Sequence, residues 1–124
     1  MEFVSRRYAD IAVAAPSGRI DHASAENFRL ALEPLLAQCK AGGEGILLDF
    51  SGVEYISSVG LRVLMMAAKQ VKAQQGRIVI AAMQPVVKEI FDISRFNMVY
   101  ESFADVAGAL EKVSPAARAA YGPG

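Results

Sequence analysis

The stretch Gly45-Ile46-Leu47-Leu48-Asp49-Phe50, followed closely by Leu61, Leu64, Met65, Ala68 and Val71, constrains this chain more than any other feature. A short, nearly continuous apolar run is the pattern of a strand covered on both faces, as in a parallel sheet. The second set advances by three and four residues, the period of an amphipathic helix, and Gly76 marks its end. A buried strand leading into such a helix is a β–α unit, and parallel strands joined through helices close by right-handed crossovers. The alternation recurs downstream. Residues 78–82 form another apolar strand, and residues 85–93 carry Val86, Val87, Ile90 and Phe91 on a short helix opened by Pro85. Met98-Val99-Tyr100 reads as an edge strand, and Val106, Leu110 and Val113 mark a last helix.

Upstream, residues 3–7 and 11–15, separated by Tyr8-Ala9-Asp10, read as a hairpin, and Pro16-Ser17-Gly18 as a turn. Asp21-His22-Ala23-Ser24 offers N-cap candidates for a helix with the apolar stripe Phe28, Leu32, Leu35, Leu36 and Cys39. Pro34 interrupts that stripe. Proline removes an amide donor and clashes with the preceding turn, so a kink or restart is expected near residues 31–33. Ala41-Gly42-Gly43 then ends the helix. The expected fold class is a single α/β domain, with a mixed, mostly parallel sheet of four to five strands packed by about four helices. Only the first hairpin is antiparallel. The domain spans residues 1–113, and residues 114–124, SPAARAAYGPG, have little to bury and read as a flexible C-terminal tail.

Charge narrows the partners. Lys plus Arg equals Asp plus Glu at 13 each, so no net field draws the chain to nucleic acid or an anionic membrane, and a protein partner is expected. Hydrophobic residues at 53% against charged ones at 21% exclude a disordered chain. No apolar run approaches the roughly 18 residues that span a bilayer. The start MEFVSRRYAD lacks the basic and apolar regions of a signal peptide, so a cytoplasmic location is expected. Cys39 has no partner for an internal disulfide. One Cys with one His cannot supply the usual zinc ligands, so Cys39 reads as a core residue and no metal is expected. Neither a P-loop nor a Gly-x-Gly-x-x-Gly pattern occurs, and no cofactor is expected. Lys69, Lys72 and Arg77 read as a solvated surface, and Met65 as core.

Chemistry concentrates in Tyr55-Ile56-Ser57-Ser58-Val59-Gly60-Leu61-Arg62. Residues 51–56 read as a turn leaving the C-terminal end of the central strand, the edge at which open α/β sheets bind ligands. Ser57 and Ser58 open the next helix. One of them serves as an N-cap, worth about 1 kcal/mol, which leaves the other hydroxyl spare. Gly60 either keeps that hydroxyl approachable or serves close packing. A catalytic set of Ser58, His22 and Asp21 or Asp49 has no Gly-x-Ser-x-Gly elbow, and adjacent Asp21 and His22 need not face each other. A non-enzymatic role is favoured.

The stretch LLDFSGVEYISSVGLRVL, with SGRIDHASAENF upstream and MQPVVKEIFDISRF downstream, resembles a bacterial STAS domain of the anti-sigma factor antagonist type over about residues 3–113. In that family the loop usually reads Asp-Ser-Ser-Gly or Asp-Ser-x-Gly, and the serine after the aspartate is phosphorylated by a kinase that is also the anti-sigma factor. The resemblance implies that Ser58 is that serine, Val59 the variable position and Gly60 the glycine. Ser57 stands where aspartate is commoner, which makes it a second acceptor candidate. The family's other contact region falls on residues 18–22, so Asp21 and His22, joined by Ser24, are implied to bind the partner. Ser57, Ser58, Val59, Gly60, Leu61 and Arg62 complete the implied partner-binding set. The implied function is anti-sigma factor antagonism. The unphosphorylated form binds an anti-sigma factor of the serine kinase type and releases a sigma factor, phosphorylation at Ser58 switches it off, and a serine phosphatase of the PP2C type restores it. The chain is expected as a monomer or weak dimer. The alternative is a STAS interaction subunit of a transporter ATPase complex or signalling scaffold that is not switched.

Overall fold

Ile46, Leu47 and Leu48 leave almost nothing exposed, and they make their strand the middle of the sheet. The computed structural model describes residues 1–122. In chain order it contains β1 (Glu2–Tyr8), β2 (Ile11–Ile20), α1 (Ala25–Gln38), β3 (Gly45–Asp49), β4 (Gly52–Ile56), α2 (Ser58–Ala73), β5 (Ile78–Ala81), α3 (Pro85–Ile93), β6 (Ser102–Phe103), α4 (Val106–Val113) and α5 (Pro115–Tyr121). The strands lie in the order β1-β2-β3-β5-β6, with β4 beside the far half of β2. Only β1 and β2 pair antiparallel; every other pair is parallel. The result is a single mixed α/β sheet with helices on both faces. Ile46 and Leu48 face one core with Phe28, Leu32, Leu64 and Phe91, while Leu47 faces a second core with Val106, Leu110 and Ala117. Alternate residues of one strand thus serve opposite layers.

Five expectations need correcting. Pro16-Ser17-Gly18 is no turn: β2 runs through it to Ile20. On one side β2 pairs with β3 up to Ala14 and with β4 from Ser17 onward, so Pro16 falls in the gap where no amide donor is required. Gly18, with φ +90, takes the left-handed backbone at which the β2–β4 register shifts. Residues 52–56, read as part of a turn, form β4. Pro34 does not restart the helix, because α1 is continuous through it. The proline is exposed, and the carbonyl it leaves unpaired belongs to Leu30, itself 51% exposed, so water can satisfy it.

The edge strand is likewise displaced. Met98 ends a 3-10 turn over Phe96–Met98, and the outermost strand is the two-residue β6. Tyr100 turns inward, and its hydroxyl donates to the Leu64 carbonyl at 2.7 Å. Burial pushes that phenol's pKa up, so it stays a donor. Last, the region expected to be a flexible tail contains α5. Ser114 caps it by accepting from the Ala117 amide, Ala117 is fully buried, and Tyr121 meets Tyr8 edge-on at 5.2 Å. Small residues lie flat on a sheet, which is how so little apolar side chain finds burial here. Positions 123 and 124 of that segment lie outside the described residues.

Candidate functional site

Parallel pairing of β2 with β4 brings two loops to one edge. Ile20 pairs with Ile56 at the last rung, and the Ser57 amide donates to the Ile20 carbonyl at 2.8 Å. The start of α2 is therefore fixed beside the loop of residues 21–24. Across the same strand pair, Arg19 opposes Tyr55, with its guanidinium 4.5 Å from the ring centroid and its Nε 3.7 Å from Asp21 Oδ2. Arg19 lies within the contact region of residues 18–22 that the resemblance implies, whereas Tyr55 lies outside the implied binding set. The alternation Gly52-Val53-Glu54-Tyr55-Ile56 was the signal that could have revealed this strand and its aromatic platform.

The two serines divide the work that one position cannot do. Ser57 has extended backbone, φ −88 and ψ 173, and its Oγ accepts the Gly60 amide at 3.2 Å, so it is the N-cap of α2. Ser58 is the first helical residue. It is exposed, and its hydroxyl makes no hydrogen bond among the described residues. Gly60 is explained by packing: a Cβ there would stand 2.8 Å from both Ile20 Cγ2 and Ile56 Cγ1. Only a bare backbone lets α2 start this close to β2 and β4.

The other implied residues separate by burial. Asp21 is half-buried, His22 exposed, and Val59 half-buried beside exposed Arg62. Gly60 and Leu61 are buried, Leu61 at 8% in the larger core, so these two support the surface from beneath. Ser24 is also spent internally. Its hydroxyl donates to the Arg19 carbonyl at 2.7 Å and accepts the Asp21 amide at 3.0 Å, instead of capping α1. Asp21 Oδ1 accepts the Ala23 and Ser24 amides at 3.1 and 3.3 Å. Partial desolvation raises the Asp21 carboxyl, but the bonds from Ser24 and Ala23 and the neighbouring Arg19 outweigh it and hold its pKa below the ordinary value. Its charge is locked into the loop.

The catalytic set weighed above is not assembled. Asp21 serves the loop amides, Asp49 Oδ1 accepts the Ser51 amide at 3.0 Å, and His22 makes no hydrogen bond among the described residues. Cys39 is buried, and desolvation raises its thiol pKa, so it packs as a small apolar residue. No group of three or more His, Cys, Asp or Glu able to hold a metal occurs among the described residues, and no described helix is long and apolar enough to cross a membrane.

Mixed sheet, twin loops and a capped helix start with a spare hydroxyl together define a small α/β domain that gathers two loops at one edge of its sheet. The chain belongs to the STAS domain family, whose pattern it matches over residues 2–109. It is 36% identical over 88 residues to BtrV of Bordetella bronchiseptica, a protein named as an anti-sigma factor antagonist, covering 71% of this chain and 73% of that protein. Solved structures share the fold. An anti-sigma factor antagonist from Mycobacterium paratuberculosis superposes with a TM-score of 0.80 at 20% identity, over 90% of this chain and 92% of that one. The anti-sigma factor antagonist SpoIIAA in its unphosphorylated form gives 0.73 at 20% identity, over 90% and 96% of the two chains. The phosphorylated form of SpoIIAA, a Bacillus cell fate determinant, gives 0.67 at 19% identity, over 90% and 99%.

Proposed function

We propose that this chain is an anti-sigma factor antagonist whose docking is switched at Ser58. In the unmodified state it binds an anti-sigma factor of the serine kinase type, which frees a sigma factor. The kinase moves the γ-phosphoryl group of ATP onto Ser58 Oγ, the hydroxyl proton leaves, ADP departs, and the complex breaks. A PP2C-type serine phosphatase hydrolyses the ester and restores binding. The observation that carries this reading is the division of labour at the start of α2: Ser57 caps the helix, so the Ser58 hydroxyl is exposed and unbonded. The name of the relative BtrV supports the antagonist role, and the phosphorylated SpoIIAA supports a phosphate on this fold.

Charge supplies the mechanism. A phosphoserine carries about −1.5 to −2 charges at neutral pH, and a helix N-terminus tolerates them because its free amides and dipole favour an anion. The fold therefore survives modification. The interface does not. A neutral hydroxyl can be buried against a partner with one hydrogen bond, whereas a dianion meets desolvation and any facing carboxylate, at a cost of several kcal/mol. A penalty of about 4 kcal/mol weakens binding by about three powers of ten. Asp21, His22, Val59 and Arg62 border Ser58 on the same edge and form the rest of the proposed contact. Ser58→Asp should abolish binding to the anti-sigma factor, measured by titration calorimetry, while circular dichroism and Tm stay near those of the parent. Retained tight binding by that variant would contradict the switch.

A further inference from the structure

Successive turns of α2 carry the Ser58 surface further than the edge itself. At 100° per residue, Arg62, Met65, Lys69 and Lys72 all fall within about 40° of Ser58 around the helix axis, and the stripe runs about 21 Å. Arg62, Lys69 and Lys72 are exposed, and none of them makes an ion pair among the described residues. Several other cations, Arg6 and Lys40 among them, also make no ion pair among the described residues; what sets these three apart is that they share one face of one helix. Beside the lower half of the stripe lies a groove of about 330 Å³, walled by Met65, Ala68, Met98 and Val99 with Lys69 and Lys72, and no acidic residue lines it. Met98 projects from the 3-10 turn with 82% of its surface exposed, a large apolar side chain that the fold itself does not cover.

We infer that this face of α2 is a docking track for an acidic amphipathic helix of the partner, with carboxylates over Arg62, Lys69 and Lys72 and apolar side chains seated between Met65 and Met98. Unmatched cations beside an apolar groove with no acidic lining call for a ligand that is both negative and apolar, and methionine walls adapt to its side chains. The inference deepens the reading above and rests on it for the partner's identity as the anti-sigma factor. It also supplies what that reading leaves general. A helix drawn in by three cations brings its carboxylates up to Ser58 at the head of the stripe, and a phosphate there meets like charge. Arg62, four residues on, is then claimed by the phosphate instead of by the partner.

The test uses the full chain and two synthetic helical peptides with leucines along one face, one flanked by glutamates and the other by lysines. Methyl and amide spectra are recorded during titration at low salt. The glutamate peptide should shift the Met65 and Met98 methyls and the Lys69 and Lys72 amides, and the K69E/K72E variant should weaken it about tenfold or more. Raised salt should weaken it as well. Equal shifts with the lysine peptide, equal shifts with a short single-stranded DNA, or shifts confined to other surfaces would each overturn the inference. No kinase enters this experiment, so its failure is distinct from failure of the Ser58 switch. With the anti-sigma factor itself, which is also the proposed kinase, K69E/K72E should slow association and slow phosphate incorporation at Ser58 with it.

Discussion

Two serines begin helices at opposite ends of this molecule, and only one of those starts has a hydroxyl to spare. At α5, Ser114 is 5% exposed; its hydroxyl donates to Asp10 Oδ1 at 2.5 Å and accepts the Ala117 amide at 3.1 Å. Every bond it can usefully make is made, and it ties residue 10 to residue 114. At α2 the capping task falls to Ser57, and Ser58, one position on, is exposed and unbonded. The residue type is the same, so what differs is whether the structure already consumes the oxygen. A hydroxyl whose bonds are used holds the fold together, and one left over beside a partner-facing edge is free to be modified.

The largest expected effect on stability lies under the free serine. Gly60→Ala pushes a methyl to within 2.8 Å of Ile20 and Ile56, and overpacking of this kind costs about 1–3 kcal/mol, more than alanine's helix propensity returns. Urea unfolding should record the loss, and an unchanged midpoint would mean that α2 does not sit as closely as described. Next comes Ser114→Ala, which loses a cap and the Asp10 bond and should cost about 0.5–2 kcal/mol by the same assay. Ser58→Ala belongs at the bottom of the series, within about 0.5 kcal/mol of the parent. If Ser58→Ala destabilised as much as Ser114→Ala, the contrast between the two helix starts would fail.

The smallest effect is a pH dependence in the 21–24 loop. Asp21 has its folded pKa lowered, so its contribution is complete above the unfolded carboxylate value and is lost as pH falls through the lower folded one. Hydrogen exchange at the Ala23 and Ser24 amides should accelerate over that acid window, beyond the intrinsic trend, and Asp21→Asn should remove the dependence.

Legibility in the sequence followed periodicity. The helix α2 and the strand β3 were readable because each buries a long, regular apolar pattern, and the antiparallel first pair was readable from its short connection. Local signals misled where tertiary pairing overrode them. Pro16, Ser17 and Gly18 carry every mark of a turn, yet β2 passes through them because its neighbours change from β3 to β4 at that point. Five residues with a Ser-Gly start hid β4, and with it the Arg19–Tyr55 contact. At the site, the resemblance pointed to the serine pair. Which serine caps depended on the backbone at Ser57, and the burial of Gly60 and Leu61 depended on how deeply α2 sits against Ile20 and Ile56. Neither is a property of local sequence.

The central claim is that the Ser58 oxygen, and not its capping neighbour, receives the phosphate. Parent protein, Ser57→Ala and Ser58→Ala should each be incubated with the anti-sigma kinase and ATP, and their intact masses compared. One phosphoryl group on the parent and on Ser57→Ala, with none on Ser58→Ala, is the result expected. Phosphate retained by Ser58→Ala, or absent from the parent, would contradict the account.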